Sequence, residues 1–414
     1  MQMAIDPDQR RRAKHTKNLV KAVVGAGARR LLRKSDEDDR RLGDELLAEL
    51  DQMKGMAMKV GQILSYLDGL PEQTQLALAE LQRGAAAASF DSMRSVVESS
   101  LGAPLAELFD RFDPSPVAAA SIGQVHRGSL NGKELAVKVQ YPYVQQSFAA
   151  DIKQLHRIAG LASMVTHVDG GALVEELGRR LEEECDYVAE SENQQRFALL
   201  FDEDTQVRIP EIVRERCATA VLTSDWHDGQ SFRDFCETAD AASRARAGLT
   251  MARFPWLSLL RHRVLNADPH PGNFLFEREQ VVFLDFGCVR EFNEDFIEDF
   301  KRFLRCVLDD DRAHFPERLE ALGLVGQRRG FDFDQHWRQA RYELEPYSSP
   351  EFQFTREYSA RSAEFSRPTN PNARKIALPP PYLWILRMQY GLHAVLARLG
   401  ARGDFRSVMR QALE

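Results

Sequence analysis

One stretch limits what this chain can fold into more than any other: residues 266–287, NADPHPGNFLFEREQVVFLDFG. Asp268 stands five residues before Asn273, and Asp285 follows twelve residues later at the end of an apolar run. Asn273 and Asp285 offer oxygen ligands to a hard cation such as Mg2+, which takes one or two protein carboxyl groups and completes its shell with phosphate oxygens and water. Asp268, just upstream, can orient or deprotonate an attacking hydroxyl or water. An Asp-Phe-Gly turn at the end of a strand is common by chance. With Asp-x-x-x-x-Asn ahead of it at this spacing, it becomes the two-part pattern of a protein kinase catalytic loop and metal loop. Such a site calls for a phosphate loop, a lysine and a partner carboxylate elsewhere in the chain.

The kinase phosphate-loop pattern G-x-G-x-x-G-x-V falls on Ala118, Ala119, Ala120, Ser121, Ile122, Gly123, Gln124 and Val125. Two of its three glycines are alanine, while Gly123 and Val125 keep their places. Alone, AAAS reads as a small-residue turn. A methyl group at 118 and 120 restricts positive φ and close backbone approach, so a loop here is expected to hold phosphates differently from a glycine-rich one. Lys138, in ELAVKVQ, stands thirteen residues after Val125, in the place of the strand lysine that meets the nucleotide's phosphates. Its carboxylate partner is expected on a helix. Residues 182–193, EEECDYVAESEN, place Asp186, Glu190 and Asn193 on one face, with Glu184 off it. Glu190 is the favoured partner, and Glu182 and Glu183 read as a solvated edge.

Around these motifs the chain reads as α+β. From Leu42 to Leu67 apolar residues recur in steps of three and four, the period of a helix. Gly55 and Gly61 lie inside it at a cost of about 1 kcal/mol each relative to Ala, which suggests close approach by another backbone or a ligand. Lys59 and Gln62 border the apolar stripe, where an ordinary helix would have a snorkelling lysine. Residues 117–140 read as two or three strands, with Asn131–Gly132 as a tight hairpin turn. Residues 143–165 and 173–200 have helical period, 206–228 contain strand-like segments, and the region after Gly287 is mainly helical apart from a polar, Pro-rich stretch at 345–381. These readings predict a two-lobed protein-kinase-like fold: a basic arm over 1–40, a helical extension over 41–112, a small β-rich lobe with inserted helices over 113–228 and a helical lobe over 229–414.

Composition narrows the class. The 414 residues are 43% hydrophobic and 28% charged, enough for two or three core-bearing units. Five scattered cysteines without a CxxC pair fit reduced thiols in a cytoplasmic setting. No run approaches the roughly 18 apolar residues of a membrane span, so an integral membrane protein is not expected. Net charge is −7, yet residues 10–34 carry ten Lys/Arg and no acid. This segment reads either as a solvated arm or as a basic helix drawn to anionic lipid at the inner face of a membrane. No aromatic residues are interleaved for base stacking, and nucleic acid is not an expected partner.

KVGQ at 59–62, AAASIGQVH at 118–126, AVKVQYP at 136–142, ECDYVAESEN at 184–193, NADPHPGN at 266–273 and LDFG at 284–287 occur in the order seen in the UbiB/AarF atypical kinase family. The chain resembles that family over about residues 45–400, including LPPPYLWILRMQYGLHAVL near the end. The family includes mitochondrial kinases linked to coenzyme Q biosynthesis. The resemblance implies that Lys59, Gly61 and Gln62 form a Lys-x-Gly-Gln signature on a helix laid over the place where a kinase takes a peptide. Glu184 and Asp186 resemble a Glu-x-Asp motif facing that lysine, and Ala118–Ser121 an alanine-rich loop. Lys138 and Glu190 are then the ion pair, Asp268 the catalytic aspartate, and Asn273 and Asp285 the metal ligands. Asn266 departs from the family, where His is common, and LQRGAAAASF after 81 lacks paired prolines. The membrane-spanning C-terminal segments of some bacterial members are not seen in this chain. The expectation is an enzyme that binds ATP with Mg2+ and hydrolyses or transfers its γ-phosphate, serving isoprenoid-quinone precursors or another lipid or small molecule. The rivals are a regulatory scaffold that binds nucleotide with little turnover, and an aminoglycoside-type phosphotransferase, which would not explain Lys59–Gln62 or the alanine loop.

Overall fold

The computed structural model describes residues 88–120, 122–142, 185–365, 370–373 and 375–414. The basic arm, the helix bearing Lys59, Gly61 and Gln62, and the site candidates Ser121 and Glu184 lie outside the described residues. The chain divides into two compact units. One ends at Ser191 and takes in Ile212–Trp226, and the other comprises Glu192–Glu211 and His227–Glu414.

The first unit is built on an antiparallel sheet ordered β1 (Arg111–Ala120), β2 (Gly123–Leu130), β3 (Lys133–Gln140) and β5 (Val221–Asp225), with β4 (Val207–Arg208) assigned to the second unit. Asn131 and Gly132 join β2 to β3 with φ of 52° and 78°, the left-handed pair that a two-residue hairpin turn requires. The strand period of two then sends Leu135, Val137 and Val139 to one face, all buried, and Lys138 to the other. Helix Phe90–Leu101, capped by Ser89 and ended by Gly102 at φ 74°, buries Met93 and Val97 among those residues. β1 forms the sheet edge, and its register with β2 shifts on either side of Pro116, where proline has no N–H to give a ladder.

The second unit is mainly helical. Its central helix, Ala241–His262, starts at Asp240, whose side chain accepts the Ser243 N–H, and buries Trp256, Leu259 and Leu260. Small sheets flank it, one ordered β4–β9–β8–β6 and one pairing β10 with β7. Their strands are β6 (Gln230–Ser231), β7 (Val264–Asn266), β8 (Phe274–Glu277), β9 (Gln280–Phe283) and β10 (Val289–Glu291). Helices Glu294–Leu308, Phe315–Ala321, Phe333–Glu343, Pro380–Leu399 and Phe405–Leu413 follow. The polar stretch after 345 is less irregular than its prolines suggest, because Glu345–Ser348 and Arg356–Ala360 form short helices there. Tyr342 and Tyr358 tie this region to helix Phe333–Glu343 by donating their hydroxyls to each other's backbone carbonyls. Among the described residues, no helix is long and apolar enough to cross a membrane.

Candidate active site

In the first unit, Lys138 on β3 donates from Nζ to both oxygens of Glu190, at 2.7 and 2.9 Å. The Tyr187 ring lies beneath the same ammonium, 4.8 Å from Nζ. Helix Tyr187–Leu200 is held at its start by the Tyr187 N–H, which donates to the Thr219 carbonyl. Asp186 serves as its cap: Oδ1 accepts the N–H groups of Val188 and Ala189 at 3.0 and 3.2 Å. That is a structural task for an exposed side chain, and its expected lysine partner, Lys59, lies outside the described residues.

The alanine segment belongs to the strands expected over 117–140. Ala118, Ala119 and Ala120 end β1 and pair with Val125, Gln124 and Gly123 of β2. None of the three has positive φ, so their methyl groups cost nothing in backbone conformation. Gly123 is fixed by crowding. A Cβ there would lie 2.1 Å from the Val139 carbonyl oxygen on β3. Behind it, buried Gln124 donates from Nε2 to Nε2 of buried His126 at 2.9 Å, and His126 Nδ1 donates to the Asp113 carbonyl at 2.8 Å. Burial holds the His126 pKa below the ordinary imidazole value, so the ring stays neutral in this role.

In the second unit, β7 delivers the chain to Asp268, and β10, paired with β7, carries it away from Asp285. Asn273 Nδ2 donates to Asp268 Oδ2 at 3.2 Å and to its carbonyl at 3.1 Å. Asn266 links the two halves of the motif, accepting the Asp268 N–H on Oδ1 and donating from Nδ2 to the Asp285 carbonyl at 2.6 Å. The departure from histidine at 266 thus retains a polar bridge. His270 Nδ1 accepts the Gly272 N–H and starts the short turn Pro271–Asn273. Asp285 Oδ1 accepts the Gly287 N–H at 3.0 Å. Phe286 between them is fully buried against Phe197 and Phe254, and its carbonyl accepts Asn193 Nδ2 at 3.3 Å. Cys288, after Gly287, is half-buried, and desolvation of its thiol pushes the pKa up and keeps it protonated.

Two hard oxygens fit a magnesium ion here. With Nδ2 of Asn273 donating to Asp268, its Oδ1 is the amide atom able to coordinate a cation, and the Asp285 carboxylate supplies the charged oxygen ligand that Mg2+ favours. Among the described residues, no cluster of three or more His, Cys, Asp or Glu side chains could hold a metal. A cation at Asn273 and Asp285 would therefore complete its shell with phosphate and water oxygens.

The sequence reading missed Arg387. From helix Pro380–Leu399 its Nη2 donates to Asp268 Oδ1 at 3.1 Å. A single arginine within the run PPYLWILRMQYGLHAVL was the available signal, since an apolar helix carries such a charge at a cost unless something meets it.

Lobes of this composition, with a strand lysine paired to a helix glutamate and an Asp-x-x-x-x-Asn loop followed by Asp-Phe-Gly, define a kinase-like protein. A model of the ABC1 atypical kinase-like domain matches residues 80–319, more than half of the chain. The chain belongs to this family, that of the UbiB/AarF atypical kinases. It is similar to atypical kinase COQ8B, mitochondrial, of Rattus norvegicus, at 31% identity over 288 residues, covering 67% of this chain and 54% of that protein. The Danio rerio protein of the same name is 29% identical over 376 residues, covering 88% of this chain and 60% of its own length. The chain spans about half the length of the curated relatives it matches. Among solved structures, that of Rv3197 from Mycobacterium tuberculosis, a complex with erythromycin, aligns with a TM-score of 0.71 at 26% identity, covering 90% of this chain and 95% of that one.

Proposed function

We propose that the chain binds ATP with Mg2+ and hydrolyses or transfers the γ-phosphate, in support of isoprenoid-quinone or other lipid metabolism. The observation that carries this reading is the buried Lys138–Glu190 pair, with both carboxylate oxygens within 2.9 Å of the ammonium. A strand lysine held by a helix carboxylate is the group that meets the nucleotide's phosphates in kinase-like sites. In this reading Glu190 holds Lys138 toward the nucleotide's phosphates. Asn273 and Asp285 hold the cation, which neutralises charge developing on the phosphate oxygens. Asp268 orients the attacking water or acceptor hydroxyl. The mitochondrial atypical kinases similar to this chain support a phosphoryl-transfer role, and the coenzyme Q link of the family supports a lipid or quinone precursor as its beneficiary.

The test compares wild type with Asp285→Asn in magnesium-dependent phosphate release from ATP. The substitution removes one negative charge from the cation site and should abolish release while leaving thermal unfolding unchanged. Equal rates in a folded variant would remove Asp285 from the site. ATP binding without release above that of the variant would mark the chain as a nucleotide-binding scaffold.

A further inference from the structure

We infer that Arg387 and Gly391, on successive turns of helix Pro380–Leu399, position the loop carrying Asp268, which makes this helix the platform for the reaction proposed above. Arg387 Nη2 holds one carboxylate oxygen of Asp268 at 3.1 Å, and Asn273 Nδ2 holds the other at 3.2 Å. The carboxylate is thus gripped from the helix and from its own loop. An ionised carboxylate has about four lone-pair sites, so two such bonds fix its orientation and still leave room for a hydroxyl or water. One turn further along, a Cβ at Gly391 would lie 2.6 Å from Pro269 Cγ. Glycine lets the helix backbone approach the residue next to Asp268 this closely.

Arg387 is itself placed by aromatic contact. Its guanidinium carbon lies 5.7 Å from the Trp384 ring centroid, and that of Arg290, on β10, lies 4.1 Å from the same ring. A half-open ion pair adds little to stability. What Arg387 supplies is placement, and in-line transfer depends steeply on placement.

The experiment measures phosphate release and ATP affinity for wild type, Arg387→Gln, Arg387→Lys, Gly391→Ala and the double variant Pro269→Ala/Gly391→Ala. Arg387→Gln should lower kcat about 100-fold, the scale of a 1 Å misplacement, with ATP affinity unchanged. Lysine should restore part of the loss, as it keeps the charge without the planar fork. Gly391→Ala should lower kcat in the same way, and removing the Pro269 ring in the double variant should recover it, a coupling that two independent defects would not show. Wild-type kcat in Arg387→Gln, or no recovery in the double variant, overturns the inference. If wild type itself releases no more phosphate than Asp285→Asn, the reading of the function fails on its own account. The platform is then judged by hydrogen exchange of amides 267–273. Faster exchange confined to that loop in Arg387→Gln and in Gly391→Ala upholds it, and unchanged exchange overturns it.

Discussion

Each unit holds an ion pair among its candidate site residues, and the two pairs are built differently. Lys138 and Glu190 are 16% and 4% exposed, and they join a sheet strand to a helix. Arg387 and Asp268 are 24% and 27% exposed, and they join a helix to a loop. In the first, the surroundings have already paid for desolvation, so removing one partner should harm the fold as well as the site. In the second, water still competes for both groups, and the pair contributes direction more than stability. The same two charges can thus serve as a structural member or as a pointing device, and burial decides which.

The largest expected effect tests the buried pair. Lys138→Met strips the Glu190 carboxylate of its lysine and should destabilise the protein by about 3–5 kcal/mol, read from the midpoint of urea unfolding. Adding Glu190→Gln should restore most of that stability and none of the ATP binding. If the single variant is as stable as wild type, the contrast between the pairs collapses.

Next in size is an effect placing the second unit's stability in its core. His336 is buried beside Phe315 and Phe331, and burial pushes its pKa down to about 4. In the unfolded chain an imidazole titrates near 6.5. Between those values the unfolded state holds the extra proton, so stability is full above pH 6.5 and falls as the pH drops toward 4, by roughly 3 kcal/mol in all. His336→Phe should flatten this acid slope in denaturant midpoints measured between pH 7.5 and 4.5. An unchanged slope would show that the ring is not kept neutral in the fold.

The smallest effect concerns the open pair. Arg387→Gln should change unfolding free energy by no more than about 1 kcal/mol, despite its expected effect on turnover. A loss comparable to that of Lys138→Met would make Arg387 a structural residue.

Much of this was legible in the sequence where one residue type answers one local demand. Asn131–Gly132 marked its hairpin because few dipeptides accept two positive φ values, and the spacing from Val125 to Lys138 put the lysine on β3, where it meets Glu190. The Asp268–Asn273 contact was implicit in a five-residue loop. Other features depend on partners distant along the chain. Arg387 meets Asp268 from 119 residues away, a separation that no local period reports. Gly123 resembled the last glycine of a phosphate loop, yet its lack of a side chain answers to the Val139 carbonyl on another strand. Ala118–Ala120 read as a turn only when taken alone, because small residues carry no period. The span 117–140 read as strands, and pairing with β2 bears out the strand reading. Asp186 shared a helical face with Glu190, but as the residue before the first turn it caps the helix.

Trp384, beside the guanidinium groups of Arg290 and Arg387, also gives the protein an optical probe of its own. Indole emission responds to nearby charge, so any event that draws Arg387 off Asp268 alters the light from this ring. With four tryptophans in the chain, a variant keeping Trp384 alone would isolate that colour change, and the movement of one arginine could be followed on the timescale of a stopped-flow trace without any attached dye.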